Sequence, residues 1–269
     1  MKGLSGVASM RSSRVIKYFE DYIKKYDMNN SQVKLKYFHS LKCMDLAKDI
    51  ATKLDIFSEE EITLIGMIAL FHDIGNFKEE STFNIIDEKN THDDNNPRED
   101  NTMKSINILF EEGILRKITD DTKYDNIIKL AIFCHNKEGL PKNIDDKDIY
   151  ICNILKDVHR LEELRMIIDN PYIDNRIDCY PSDIVYNEFK KLNLVDKKII
   201  NNNTDNILSY LSNIYDLNYR YSYYLLTEND YLSKITNSLL YEDKKLEKFF
   251  KQIETVLKNY INKKMIERQ

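Results

Sequence analysis

Four residues of metal-ligand type occupy places where a helical repeat calls for apolar side chains, His39, His72, His135 and Asp157, and Asp73 stands directly beside His72. His39 falls on the stripe Leu35, His39, Cys43, Leu46, Ile50, and His72 continues Ile65 and Ile68 in "ALFHDIGNF" (residues 69–77). His135 continues Tyr124, Ile128 and Ala131, and Asp157 is the one charge on the stripe Tyr150, Ile154, Asp157, Leu161, Leu164, Ile168. Taken singly, each has an ordinary alternative: an inward histidine bonded to a carbonyl, or an aspartate paired with Arg or Lys. Together they would need unrelated compensations on four helices, whereas one divalent cation offsets them all, because a buried carboxylate is tolerated when it is paired or coordinates a metal. Mixed imidazole and carboxylate donors suit Mn, Fe, Ni, Co or Zn and are less typical of Ca.

The elements that must position these residues read as helices. Apolar residues recur at the 3.6 period from Ser31 to Leu54. "SEEE" at 58–61 is a capping box opening the next helix, and Gly75 is the expected C-terminal cap. Residues 76–100, with "NIIDEKNTHDDNNPRED", read as a long acidic loop; His92 within it reads as a solvated loop residue. Helices are expected from about Asn101 to Glu112, ended by Gly113, from Asp121 to Asn136, and from Asp146 to Asp169 before Pro171. The remainder also reads as helices, the last from Glu242 with Leu246, Phe250, Ile253, Val256 and Leu257 on one face. No alternating strand pattern or internal repeat occurs, so the fold class is all-α.

The bulk composition narrows the function. The 269 residues are 42% hydrophobic and 32% charged, with only 6 Gly and 4 Pro, which favours helices with short connections. A net charge of −5 gives no basic footprint, so generic nucleic-acid binding is not expected. Cys43, Cys134, Cys152 and Cys179 show no C-x-x-C spacing, which argues against a cysteine zinc site or redox pair. "MKGLSGVASMRSSR" lacks the apolar run of a secretory signal, and no stretch approaches the roughly 18 apolar residues of a membrane span. The cytoplasm is the expected compartment and no membrane partner is expected; the oligomeric state is open.

The order His39, then His72–Asp73, then Asp157 resembles the H…HD…D signature of the HD-domain metal-dependent phosphohydrolases. "FHDIGNF" is similar to the HDIG form of that signature, "CHNKEG" at 134–139 to a further metal-binding histidine motif of some subgroups, and "NILKDVHRLEEL" to the segment supplying the final Asp. The likeness covers residues 30–169, preceded by an N-terminal helical segment, 1–29, and followed by a helical extension, 170–269, like those of bacterial members and expected to pack on the domain. The resemblance implies a helical bundle holding one divalent ion, Mn, Mg, Fe, Ni, Co or Zn, through His39, His72, Asp73 and Asp157. In two-metal subgroups Asp73 bridges the ions and two more histidines join; His135 matches one of them. Where the other stands, this chain has Asp100 and Asn101, and Asn76 follows HDIG where many relatives have Lys or Arg.

Such a site suits water attack on phosphorus. A bound divalent ion lowers the pKa of its water from about 15.7 toward about 7 and polarises a phosphoryl oxygen. Asp73 is the candidate to ligate and to accept a proton from that water. Arg160, Lys78, Lys137 and Asn101 are the candidates to meet substrate, with Arg160 also able to pair with Glu163 on the helix surface. His159 reads as exposed or packed at an edge rather than as a ligand. The expected activity is hydrolysis of a small phosphorylated molecule, a nucleotide being the leading class. The alternatives are a catalytically weakened module that binds metal or nucleotide for regulation, and a diiron oxygenase on the same scaffold.

Overall fold

Asn30 and Ser58 begin the two helices on which the site depends. The Asn30 side chain accepts from the backbone N–H of Gln32 at the start of α2 (Ser31–Leu54), which follows α1 (Ser12–Ile23) and ends at Asp55 in the left-handed region. Ser58 Oγ accepts from Glu61 N–H while Glu61 reaches back to Ser58 N–H, the reciprocal cap expected for α3 (Glu59–Phe71). The structure, a computed structural model, describes residues 12–78, 97–137, 139–170 and 172–267; of 97–100 only the backbone is described. His92, Pro171 and most of the acidic loop lie outside these residues.

Twelve α-helices are present among the described residues. Besides α1 (Ser12–Ile23), α2 and α3, they are α4 (Pro97–Phe110), α5 (Ile114–Ile118), α6 (Asp125–Cys134), α7 (Asp146–Asp169), α8 (Asp183–Lys190), α9 (Asn203–Ser212), α10 (Arg220–Glu228), α11 (Tyr231–Ser238) and α12 (Lys244–Ile266). The fold is all-α. Two-residue strands β1 (Arg176–Ile177) and β2 (Leu240–Tyr241) pair in parallel, too short for any alternation to appear in the sequence. No described helix is long and apolar enough to cross a membrane.

Four boundaries differ from expectation, the first being that of α4, which begins at Pro97 within the stretch read as acidic loop rather than at Asn101. α3 stops at Phe71, and Gly75 falls in a 3₁₀ turn (Ile74–Asn76) without the positive φ of a glycine cap. The helix expected from Asp121 starts at Asp125 because local side-chain bonds hold the preceding residues in turns: Thr119 Oγ1 accepts from Asp121 N–H, and Asp121 Oδ1 from Lys123 N–H. Gly113, at φ 73°, starts the unexpected α5 rather than simply ending α4. On α12, Leu246, Phe250, Ile253 and Leu257 are buried as expected, but Val256 is half exposed, off the packed stripe.

The chain divides into two compact units, residues 1–158 and 159–269, the division falling inside α7. In the first, α2 packs against α3, α3 against α6, and α4 against the 3₁₀ turn, α5 and α6. Phe19 of α1 meets Phe71 edge-on at 5.5 Å and Phe77 at 5.9 Å, so aromatic packing grips both sides of the His72–Asp73 corner. In the second, α10 and α11 pack on α12, and buried Asp205 accepts from the N–H and Oγ of Ser182 and from Asn201 N–H, tying α8 to α9.

Candidate metal centre

The last turn of an α-helix leaves carbonyls without intrahelical partners. At the end of α3 one of them is used: His72, the residue closing the helix, donates Nδ1–H to the Ala69 carbonyl at 2.7 Å. α6 repeats the device, with His135 donating Nδ1–H to the Ile132 carbonyl at 2.6 Å. These bonds fix the tautomer of both rings and leave each Nε2 as a lone-pair donor, the arrangement of a metal-ligating imidazole. The rings stand 4.9 Å apart and nearly perpendicular, so two helix C-termini, each bearing the negative end of a dipole, converge here.

Asp73 leaves the helix at φ −116°, and Asn76 N–H returns to its carbonyl at 3.0 Å to close the 3₁₀ turn. Gly75 is needed in that turn for close approach: a Cβ there would stand 2.7 Å from the Asn101 carbonyl oxygen and 2.8 Å from Ser105 N. Its N–H donates to Ser105 Oγ at 3.0 Å, so α4 is pressed against the turn that aims Asp73.

The Asp73 carboxylate is the meeting point. Oδ2 lies 3.4 Å from His72 Nε2 and 3.8 Å from His39 Nε2, and Oδ1 lies 3.7 Å from His135 Nε2. Two ligands about 2.1 Å from one ion at the tetrahedral angle are themselves about 3.4 Å apart. The separations are too long for direct hydrogen bonds and match donors ready to share a cation. His39, His72 and His135 are buried, as is Asp73. Burial, the larger effect, pushes the His72 imidazole down to about 3 against the opposing pull of the Asp73 charge, so His72 is neutral and able to ligate across the physiological range. The donor set therefore fits a divalent transition ion.

Two residues at this centre were not singled out in the sequence as site residues. Lys36 places its ammonium on Asp73 Oδ2, and Cys43 Sγ is 3.5 Å from His39 Nε2. Both lie one helical turn from His39 on α2, a spacing that could have flagged them. His39, Cys43 and His72 present potential donor atoms all within 4.8 Å of one another.

Asp157 is wholly buried on α7, where Lys156 and Glu162 are buried as well. Of the candidate substrate contacts, Lys78 is exposed, and Lys137 lays its ammonium over the Phe133 ring at 3.5 Å from the centroid. Asn101 Oδ1 accepts from Lys104 at 3.3 Å. Arg160 pairs with Glu163 at 3.3 Å as expected, but is buried rather than on a surface, and its Nε also donates to Asp216 at 3.1 Å. His159 is half-buried, with Nδ1 3.8 Å from Glu163 Oε2.

Residues 37–167 match the family model described as HD domain. This chain carries an HD domain. The family belongs to a superfamily of metal-dependent phosphohydrolases, and the matched stretch of the HD domain contains His39, His72, Asp73, His135 and Asp157 together. Nothing matches the chain among curated proteins or among solved structures.

Proposed function

We propose that this HD domain hydrolyses a small phosphorylated molecule, with nucleotides as the leading substrate class, in the cytoplasm. The reading is carried by one observation: three imidazole Nε2 atoms face the carboxylate of Asp73 at 3.4–3.8 Å, two of them on rings pinned through Nδ1.

His39, His72 and Asp73 would hold the ion, with His135 on the other carboxylate oxygen and Asp157 as the remaining carboxylate ligand. When bound, a divalent ion there supplies Lewis acidity toward a phosphoryl oxygen and acidifies water. His72 and His135, locked by their carbonyl bonds, hold donor geometry without reorganising during the reaction. Asp73, with an oxygen toward each side of the cluster, takes the proton from the attacking water. With an ion on Asp73, the Lys36 ammonium would be available to the non-bridging oxygens of a phosphate.

One observation favours a second reading, a regulatory module that binds metal or nucleotide without turnover: Lys36 already neutralises Asp73. The two are separated by assaying the full chain against phosphomonoesters, cyclic nucleotides and dinucleotides with Mn, Mg, Fe, Ni, Co and Zn, alongside Asp73→Asn. Turnover that Asp73→Asn reduces by at least about 100-fold supports the enzyme. Metal and nucleotide binding without turnover supports the module, and turnover untouched by Asp73→Asn overturns this assignment of the active site.

A further inference from the structure

We propose that Cys43 is a sulfur ligand of this centre, so that the ion is held by imidazole, carboxylate and thiolate together and the site selects Zn²⁺, Co²⁺ or Fe²⁺ over Mg²⁺ and Mn²⁺. The inference rests on the metal-site reading above and adds to it a donor outside the H…HD…D pattern.

The geometry is specific. Cys43 follows His39 by four residues on α2, so both side chains leave the same face of the helix. Sγ lies 3.5 Å from His39 Nε2 and 3.9 Å from Nδ1, closer to the nitrogen that faces Asp73. A metal–sulfur bond of about 2.3 Å and a metal–nitrogen bond of about 2.0–2.1 Å at the tetrahedral angle separate their donor atoms by about 3.5 Å. The same construction gives about 3.4 Å for nitrogen and oxygen, the observed distance from His72 Nε2 to Asp73 Oδ2. His39, Cys43 and His72 thus offer two nitrogens and one sulfur within 4.8 Å of one another, and Asp73 Oδ2 faces both of those histidines at 3.8 and 3.4 Å.

The chemistry closes as well. Without an ion, the thiol proton can rest on the His39 Nε2 lone pair. An ion takes that lone pair, the S–H loses its acceptor, and the proton passes to solvent as the thiolate coordinates. Cys43 is fully buried, so the thiolate would be stranded without a cation, and the ion relieves that cost. Soft sulfur then biases the site away from hard, oxygen-seeking ions.

The test is to titrate the metal-free full-length protein with Co²⁺ and record its spectrum, then repeat with Cys43→Ser and Cys43→Ala. The wild type is expected to show visible d–d bands together with a near-ultraviolet thiolate-to-cobalt charge-transfer band. Both variants should lose the charge-transfer band and keep d–d bands, and their Zn²⁺ affinity should fall by roughly tenfold or more with Mn²⁺ affinity little changed. Wild-type d–d bands without the charge-transfer band overturn the sulfur ligand and leave the metal centre standing. Persistence of the band in the variants overturns it too, by assigning the sulfur to another cysteine. No cobalt bands at all overturn both this inference and the metal-site reading. Should the variants fail to fold, the wild-type spectrum decides, with protection of one thiol from alkylation by bound Zn²⁺ as the second measurement.

Discussion

The ammonium of Lys36 rests on Oδ2 of Asp73, the oxygen that also faces Nε2 of His72 and His39. A lysine and a divalent cation therefore compete for one carboxylate oxygen. Both side chains are largely buried, so removing the lysine takes the ammonium that faces Asp73 Oδ2 away from a buried carboxylate. Lys36→Met is expected to lower the stability of the metal-free protein by about 2 kcal/mol and to widen the melting-temperature gain on adding metal. Thermal melts with chelator and with excess Zn²⁺ check it; a metal-induced gain smaller than wild type would show that lysine and ion do not compete.

His72 governs the acid side of the stability profile. Its folded-state value, about 3, lies below the ordinary 6.5, so between these pH values the unfolded chain binds a proton that the folded protein refuses. The stabilisation is complete above pH 6.5 and is lost as pH falls toward 3. Metal-free melts should drop steadily through that window, and His72→Gln should have a shallower slope by up to about 1.4 kcal/mol per pH unit. Equal slopes in the two proteins would show that His72 is not buried in its neutral form.

Gly75 tests whether the turn after Asp73 must lie flat against α4. An added methyl would meet main-chain atoms of Asn101 and Ser105, which cannot swing aside as a flexible side chain would. Gly75→Ala should cost about 1–3 kcal/mol and weaken metal binding by displacing Asp73. Denaturant unfolding and metal titration read the two effects separately, and an unperturbed variant would mean that α4 can retreat without disturbing the centre.

Ser58→Ala provides the contrast. The reciprocal cap with Glu61 begins α3 at the opposite end from His72, so its loss should cost about 1 kcal/mol. Metal affinity should stay within about twofold, since the carbonyl bond of His72 remains. A large fall in metal affinity would show that the two ends of α3 are coupled.

Much of this arrangement was legible in the sequence. α2, α7 and the capped start of α3 follow from apolar periodicity and local capping residues, signals that act over a few positions. His39, His72 and His135 were legible because they interrupted apolar stripes, and Asp73 because it directly follows His72 at the end of one. Lys36 and Cys43 were harder to see: a lysine beside an apolar stripe reads as a surface residue, and a cysteine within one reads as core. Their spacing of one turn from His39 was the local signal on offer, but their meaning comes from α2 packing on α3, a relation between segments. Gly75 was expected to cap a helix, but what constrains it is the backbone of α4, some thirty residues later. The start of α6 was misplaced because Thr119 and Asp121 satisfy their neighbours' backbone through side chains.

The meeting of the α3 and α6 ends dictates a loading sequence. Two runs of peptide dipoles direct their electron-rich tips at one spot, where the Lys36 charge is already spent on Asp73, so an incoming phosphate meets a field that favours it only once a divalent cation has arrived. Substrate mimics such as vanadate should accordingly show no affinity for chelator-treated protein and acquire it only after the ion is restored, making occupancy by metal the gate through which every anionic ligand must pass.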